Sequence, residues 1–147
     1  MKMIKTIVIL LGFFLLGMSS PDKLNDIIKN SDYTFILKIG LGDCPKCINL
    51  SYDIFEKFEI EFGISKKISF IALIICDREK ELKLFKKNYS IIDYVFKYNE
   101  MEYKLDSACS DCILFIYNKK NLLIANYSAS SISNFSNVIK DLKTKFH

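Results

Sequence analysis

Two apolar runs of different rhythm, joined by a helical stretch, constrain the fold of this chain most. Tyr33 to Ile39 reads as a strand, with Phe35, Leu37 and Ile39 alternating with Thr34, Ile36 and Lys38. Gly40 and Gly42 end it. Cys44-Pro45 then opens a helix whose Ile48, Tyr52, Phe55, Phe58 and Phe62 fall on one face. Gly63 closes that helix. Ile68 to Cys76 is a nearly continuous apolar run, as in a strand buried on both faces. Strand, helix, strand in this order implies a parallel pair joined by a right-handed crossover. The expectation is therefore an α/β fold: a central sheet flanked by helices.

The rest of the chain extends this frame. Pro21 to Asn30 predicts a short helix with Ser20 as its N-cap and Leu24, Ile27 and Ile28 inward. Asp77 to Tyr89 predicts another, with Leu82, Phe85 and Tyr89 inward. Tyr94 to Leu105 is rich in aromatic residues and reads as an insert of two strands turning at Asn99-Glu100. Ile113 to Tyr117 and Leu122 to Tyr127 predict a hairpin around Asn118-Lys119-Lys120-Asn121, which makes the sheet mixed. A last helix starts near Ser131, with Ile132, Phe135, Val138, Ile139, Leu142 and Phe146 inward.

With 147 residues, half of them apolar, the chain can bury a single core. Its first residues stand apart. Lys2 and Lys5 precede an uncharged apolar run from Thr6 to Met18, small residues follow, and Pro21 breaks the pattern. This reads as a signal peptide over 1–19, leaving a domain over 20–147. The run falls short of the roughly 20 apolar residues of a membrane span. An uncleaved N-terminal anchor is the alternative, and the only route to a membrane. The expected location is extracytoplasmic, periplasmic or secreted. Losing Lys2 and Lys5 and no acid takes the formal charge from +4 to +2. The remaining charges are mixed, as in Arg78-Glu79-Lys80-Glu81, which argues against a nucleic-acid partner.

All five cysteines (Cys44, Cys47, Cys76, Cys109 and Cys112) lie beyond the expected cut, where disulfides can persist. Cys44-Pro45-Lys46-Cys47 sits where a strand hands over to a helix. The helix N-terminus favours negative charge, hence a thiolate at Cys44, the form that attacks disulfides. Cys47, one turn on, can resolve the mixed disulfide. Pro45 suits the first helical turn, and Lys46 adds a positive charge that supports the thiolate, while Asp43 opposes it. The bland reading of the same pair is a static local disulfide. Cys76 reads as a small buried hydrophobe. His147, the single histidine and the last residue, leaves no Cys–His pair for catalysis.

With Cys44-Pro45-Lys46-Cys47 at a strand–helix junction and a closing strand–strand–helix, the chain from about Tyr33 onward resembles the thioredoxin superfamily, most of all its extracytoplasmic thiol-disulfide oxidoreductases. The resemblance implies a thioredoxin-like fold, Cys44 as nucleophile and Cys47 as resolving thiol. Its implied partners are protein thiols or disulfides and a redox partner protein, with no cofactor. Three positions depart from the family pattern. Asp43 stands where Trp is usual, Lys38 where a buried acid is usual, and Cys109-Ser110-Asp111-Cys112 where a cis-Pro is usual. The resemblance then implies that Cys109 or Cys112 lies near Cys44. The second pair would be a redox shuttle, a structural disulfide, or half of a four-thiolate metal site, the last not favoured. The alternatives to an oxidoreductase are thus a non-catalytic binding module with structural disulfides, or a metal-binding protein.

Overall fold

The computed structural model describes residues 20–40, 45–63, 66–90, 92–98, 105 and 111–146, with the side chains of residues 20–22 left aside. The expected signal peptide, Asp43, Cys44 and Cys109 lie outside the described residues. Tyr33–Gly40 forms β1 at the centre of the sheet, with β2 (Ile68–Ile75) parallel on one side and β4 (Cys112–Asn118) antiparallel on the other. Phe35, Ile36 and Leu37 are all fully buried, because helices cover both faces of the sheet. The alternation read from sequence therefore holds for Phe35, Leu37 and Ile39, but Thr34 and Ile36 are buried too, against the second layer.

Among the described residues the sheet has five strands in the order β3-β2-β1-β4-β5. β3 is Tyr94–Lys97 and β5 is Leu123–Ser128. The order adds a pairing to the first strand of the expected insert. Tyr94–Lys97 is a strand as expected, and it runs parallel to β2, with Ile71 opposite Tyr94 and Ile74 opposite Lys97, at the edge of the sheet among the described residues. The Asp93 carboxylate, accepting the Phe70 N–H at 2.8 Å, fixes its start. Asn99 and Glu100 lie outside the described residues.

Between these strands run α1 (Ser20–Lys29), α2 (Pro45–Phe62) and α3 (Glu79–Asn88). Two successive parallel steps in the same direction, β1 to β2 and β2 to β3, place α2 and α3 on one face. That face holds the larger core, where Ile54, Phe55 and Phe58 of α2 and Phe85 of α3 meet Phe35, Phe70 and Ile74 of the sheet. Phe55 stacks on Phe70 at 4.6 Å and meets Phe35 edge-on at 5.6 Å. Truncating a phenylalanine packed in this way typically costs about 3–5 kcal/mol. The helix buries a wider stripe than its sequence suggests, since Ser51 and Ile54 are fully buried. Leu24 and Ile28 of α1 cover the opposite face, on Ile36, Ile71 and Phe115. α2 ends at Gly63, where a Cβ would press on the Glu59 carbonyl oxygen.

The hairpin of β4 and β5 turns as expected. The Asn118 side chain accepts the N–H groups of Lys120 and Leu122, and Asn121 takes the left-handed conformation at φ 59°. The final helix is broken in two: α4 (Ala129–Ile132) and α5 (Phe135–Phe146). Ser128 caps the first piece by accepting the Ser131 N–H at 3.2 Å, and the Ser133 hydroxyl, bonding back to the Ser130 carbonyl, sits at the break. α5 is pinned to β5 by the Tyr127 hydroxyl, which donates to the Asp141 carboxylate at 2.6 Å. Among the described residues no helix is long and apolar enough to cross a membrane.

Candidate thiol site

β1 runs up to Gly40, which lies opposite Ile75 of β2, and α2 begins at Pro45. The C-terminal ends of the parallel strands thus meet the start of α2, the edge where open α/β sheets place their sites. Pro45 and Lys46 are exposed in the first turn and Cys47 is half-buried beside them. Cys47 carries a thiol. Its carbonyl accepts the hydroxyl of the fully buried Ser51 at 2.8 Å, which ties the first turn of α2 to the core. The first turn holds no acidic residue, so nothing there offsets the positive helix end.

β4 starts at the same edge, because it runs antiparallel to β1 and sets Leu114 opposite Leu37. Its first residue, Cys112, is 3% exposed. A β-bulge sets its direction: Cys112 lies opposite Ser128 and Leu114 opposite Tyr127, leaving Ile113 as the extra residue. Leu114 and Ile116 face the α2 side, whereas Cys112 joins the cluster on the α1 side with Phe115 and Tyr117. Cys112 is disulfide-bonded. With Cys47 and Cys76 both thiols, its bonding partner lies outside the described residues.

Cys76 follows β2 directly and so stands at this edge as well. The expectation of a small buried hydrophobe is only half met. Cys76 is half-buried against the larger core, and its Sγ–H donates to the Arg78 carbonyl at 3.7 Å. Burial first, and then the Glu81 carboxylate, push its pKa up, so it stays a protonated thiol and a poor nucleophile. Its nearness to the motif was available from sequence only through strand pairing, since a residue ending β2 must lie beside the end of β1.

Lys38, in the position where the resembled family carries a buried acid, is half-buried on the α1 side. Its ammonium lies over the rings of Phe115 at 5.7 Å and Tyr98 at 5.9 Å, so aromatic faces hold the charge. Among the described residues, no three Cys, His, Asp or Glu side chains gather as a metal would require. Beside Pro45 a groove of about 400 Å3 opens between α2 and α3, lined by Pro45, Ile48, Leu84, Phe85 and Tyr89.

No protein-family model matches the sequence, and no curated protein does. Solved structures match the fold. The thiol:disulfide interchange protein, thioredoxin family protein, of Chlorobium tepidum TLS superposes with a TM-score of 0.51 at 12% identity, over 78% of this chain and 83% of that one. BsSco, a member of the Sco family of cytochrome c oxidase assembly proteins, superposes with a TM-score of 0.50 at 14% identity, over 78% of this chain and 80% of that one. The mixed sheet, its helical layers and these likenesses agree on one conclusion: the chain has a thioredoxin-like α/β fold.

Proposed function

We propose that the chain is an exported thiol-disulfide oxidoreductase working through Cys44-Pro45-Lys46-Cys47. The observation that carries this reading is that α2 begins at Pro45, at the C-terminal edge of a thioredoxin-like sheet, with the Cys47 thiol half-buried in its first turn. Cys44 immediately precedes that helix in sequence. In this scheme the Cys44 thiolate attacks one sulfur of a substrate disulfide, forms a mixed disulfide and releases the other sulfur as a thiolate. The Cys47 thiolate then attacks the Cys44 sulfur and releases the second substrate thiolate. The substrate gains two electrons and the protein is left with a Cys44–Cys47 disulfide. Run backwards, the same steps oxidise a dithiol. Lys46 and the helix end favour the attacking thiolate, and Asp43 tempers them. A redox partner protein resets the pair. Residues 1–19 deliver the domain outside the cytoplasm, as a cleaved signal or as an anchor.

Under this reading Cys109 and Cys112 are a second pair with a mainly structural role, which the disulfide at the buried Cys112 supports. The same disulfide also favours the competing reading of a non-catalytic binding module. It argues against a four-thiolate metal site, since a disulfide sulfur is not a thiolate ligand. Thiol counting by mass spectrometry separates the first two. The full chain is alkylated before and after mild reduction, with Cys44→Ser alongside. A Cys44–Cys47 pair that toggles readily, and a Cys44→Ser chain that no longer exchanges with a model disulfide, support the oxidoreductase. Two pairs that both resist mild reduction leave the binding module.

A further inference from the structure

The groove beside Pro45 exists because α2 and α3 share a face of the sheet. Its apolar walls are Pro45 and Ile48 on α2, and Leu84, Phe85 and Tyr89 on and just after α3, with Asn88 as a polar neighbour at the end of α3. Pro45 is the second residue of the C-P-K-C segment, one residue after Cys44 in sequence and two before Cys47, so the groove opens beside that segment. The floor and the lip differ. Phe85 is 4% exposed and fixed in the core, whereas Leu84 is 60% exposed at the mouth. Glu81 also lines the groove, but its carboxylate is turned to the start of α3, where it accepts the Arg78 N–H at 3.4 Å.

Charge marks the outer lip. Lys80 and Lys87 stand four residues before and three after Leu84, which puts them on its side of α3. Both are exposed, as is Lys46 on α2. None of the three has an ion-pair partner among the described residues. The groove thus has an apolar floor and a lip of three lysines without an ion-pair partner among the described residues.

We propose that this groove docks the substrate of the exchange reaction, and that its occupant is an extended segment of a client protein with an apolar side chain and an acidic residue beside the reacting cysteine. The proposal rests on the oxidoreductase reading and adds the substrate class to it. The apolar side chain covers Leu84 and Phe85, the acidic group meets Lys80, Lys87 and Lys46, and the neighbouring cysteine is brought to the start of α2.

The test separates docking from chemistry. The full chain is titrated, with fluorescence anisotropy as readout, against labelled peptides in which Ser replaces the cysteine. One peptide carries Leu and Glu beside the Ser, one Gly and Glu, one Leu and Lys. The Leu/Glu peptide is expected to bind about tenfold tighter than either of the others. Leu84→Ser abolishes the preference for Leu, and Lys80→Glu with Lys87→Glu reverses the preference for Glu. Leu84, Lys80 and Lys87 are exposed, so both variants should keep the wild-type melting curve and the wild-type rate of exchange with a small aromatic disulfide. Equal binding of the three peptides, or a Leu84→Ser chain that weakens all three alike, overturns the docking site. A chain that selects peptides as expected yet exchanges with no disulfide upholds the docking site and overturns the oxidoreductase reading instead.

Discussion

Two segments of this chain share the C-x-x-C spacing and meet different backbones. In the first, Pro45, Lys46 and Cys47 form the opening turn of a helix, exposed or half-buried, with a thiol at Cys47. In the second, Cys112 opens a strand, is nearly inaccessible and is held in a disulfide. The helix presents unsatisfied N–H groups and a positive end, conditions in which a thiolate is stable and a neighbouring thiol lies one turn away. The strand places its cysteine within an apolar cluster, where burial disfavours charge and shields a bond from attack. Equal spacing therefore does not mean equal chemistry; the element that carries the pair decides it.

The comparison breaks most visibly if both pairs react alike. Cys44→Ser is expected to lower the rate of exchange with a model disulfide by at least about a thousandfold, because no other thiol takes the nucleophile's place. Cys76 is no substitute, protonated as burial and Glu81 keep it. Stopped-flow kinetics read this directly. Cys112→Ser is expected to do the opposite. Exchange stays within about twofold of wild type, while unfolding by denaturant shows about 2–4 kcal/mol of lost stability from the missing disulfide. A Cys112→Ser chain that keeps its stability and loses exchange would invert the assignment of roles.

A smaller effect sharpens the contrast within the first segment. Lys46→Glu removes a supporting charge and adds an opposing one. Alkylation of the Cys44 thiol at neutral pH is expected to slow about three- to tenfold, with little change in stability. The smallest expected effect lies away from both pairs. Burial works against the Asp141 carboxylate, but the Tyr127 hydroxyl and Lys145 outweigh it and hold its pKa below 3.8. The Lys67 N–H, at 2.9 Å, lowers Asp32 in the same way. Groups depressed in the folded state add stability above about pH 4, which is lost as pH falls through their folded values. The melting temperature should therefore drop below pH 4, and Asp141→Asn should flatten part of that drop.

Much of the frame was legible because local rhythm and burial coincide. β1, β2 and α2 carried their periods openly, and the Asn118–Asn121 turn carried its own chemistry. What sequence hid were features that depend on partners in space. The parallel pairing of Tyr94–Lys97 has no signal of its own in the sequence; β2, joined through α3, supplies it. The burial of Thr34 and Ile36 needs α1 on the second face. Cys112 turns to the α1 side through a bulge at Ile113, and bulges leave no mark in a run such as Ile113-Leu114-Phe115-Ile116. The groove at Pro45 likewise follows from α3 sharing a face with α2, a consequence of strand order and not of any motif.

The most direct test of the central claim is to trap the intermediate. A Cys47→Ser chain, incubated with a disulfide-containing peptide and quenched with acid, should carry one peptide in mixed disulfide, mapped by tandem mass spectrometry to Cys44. The Cys44→Ser chain should carry none. An adduct on Cys76 or Cys112, or no adduct on any cysteine, would contradict the assignment of the exchange chemistry to the start of α2.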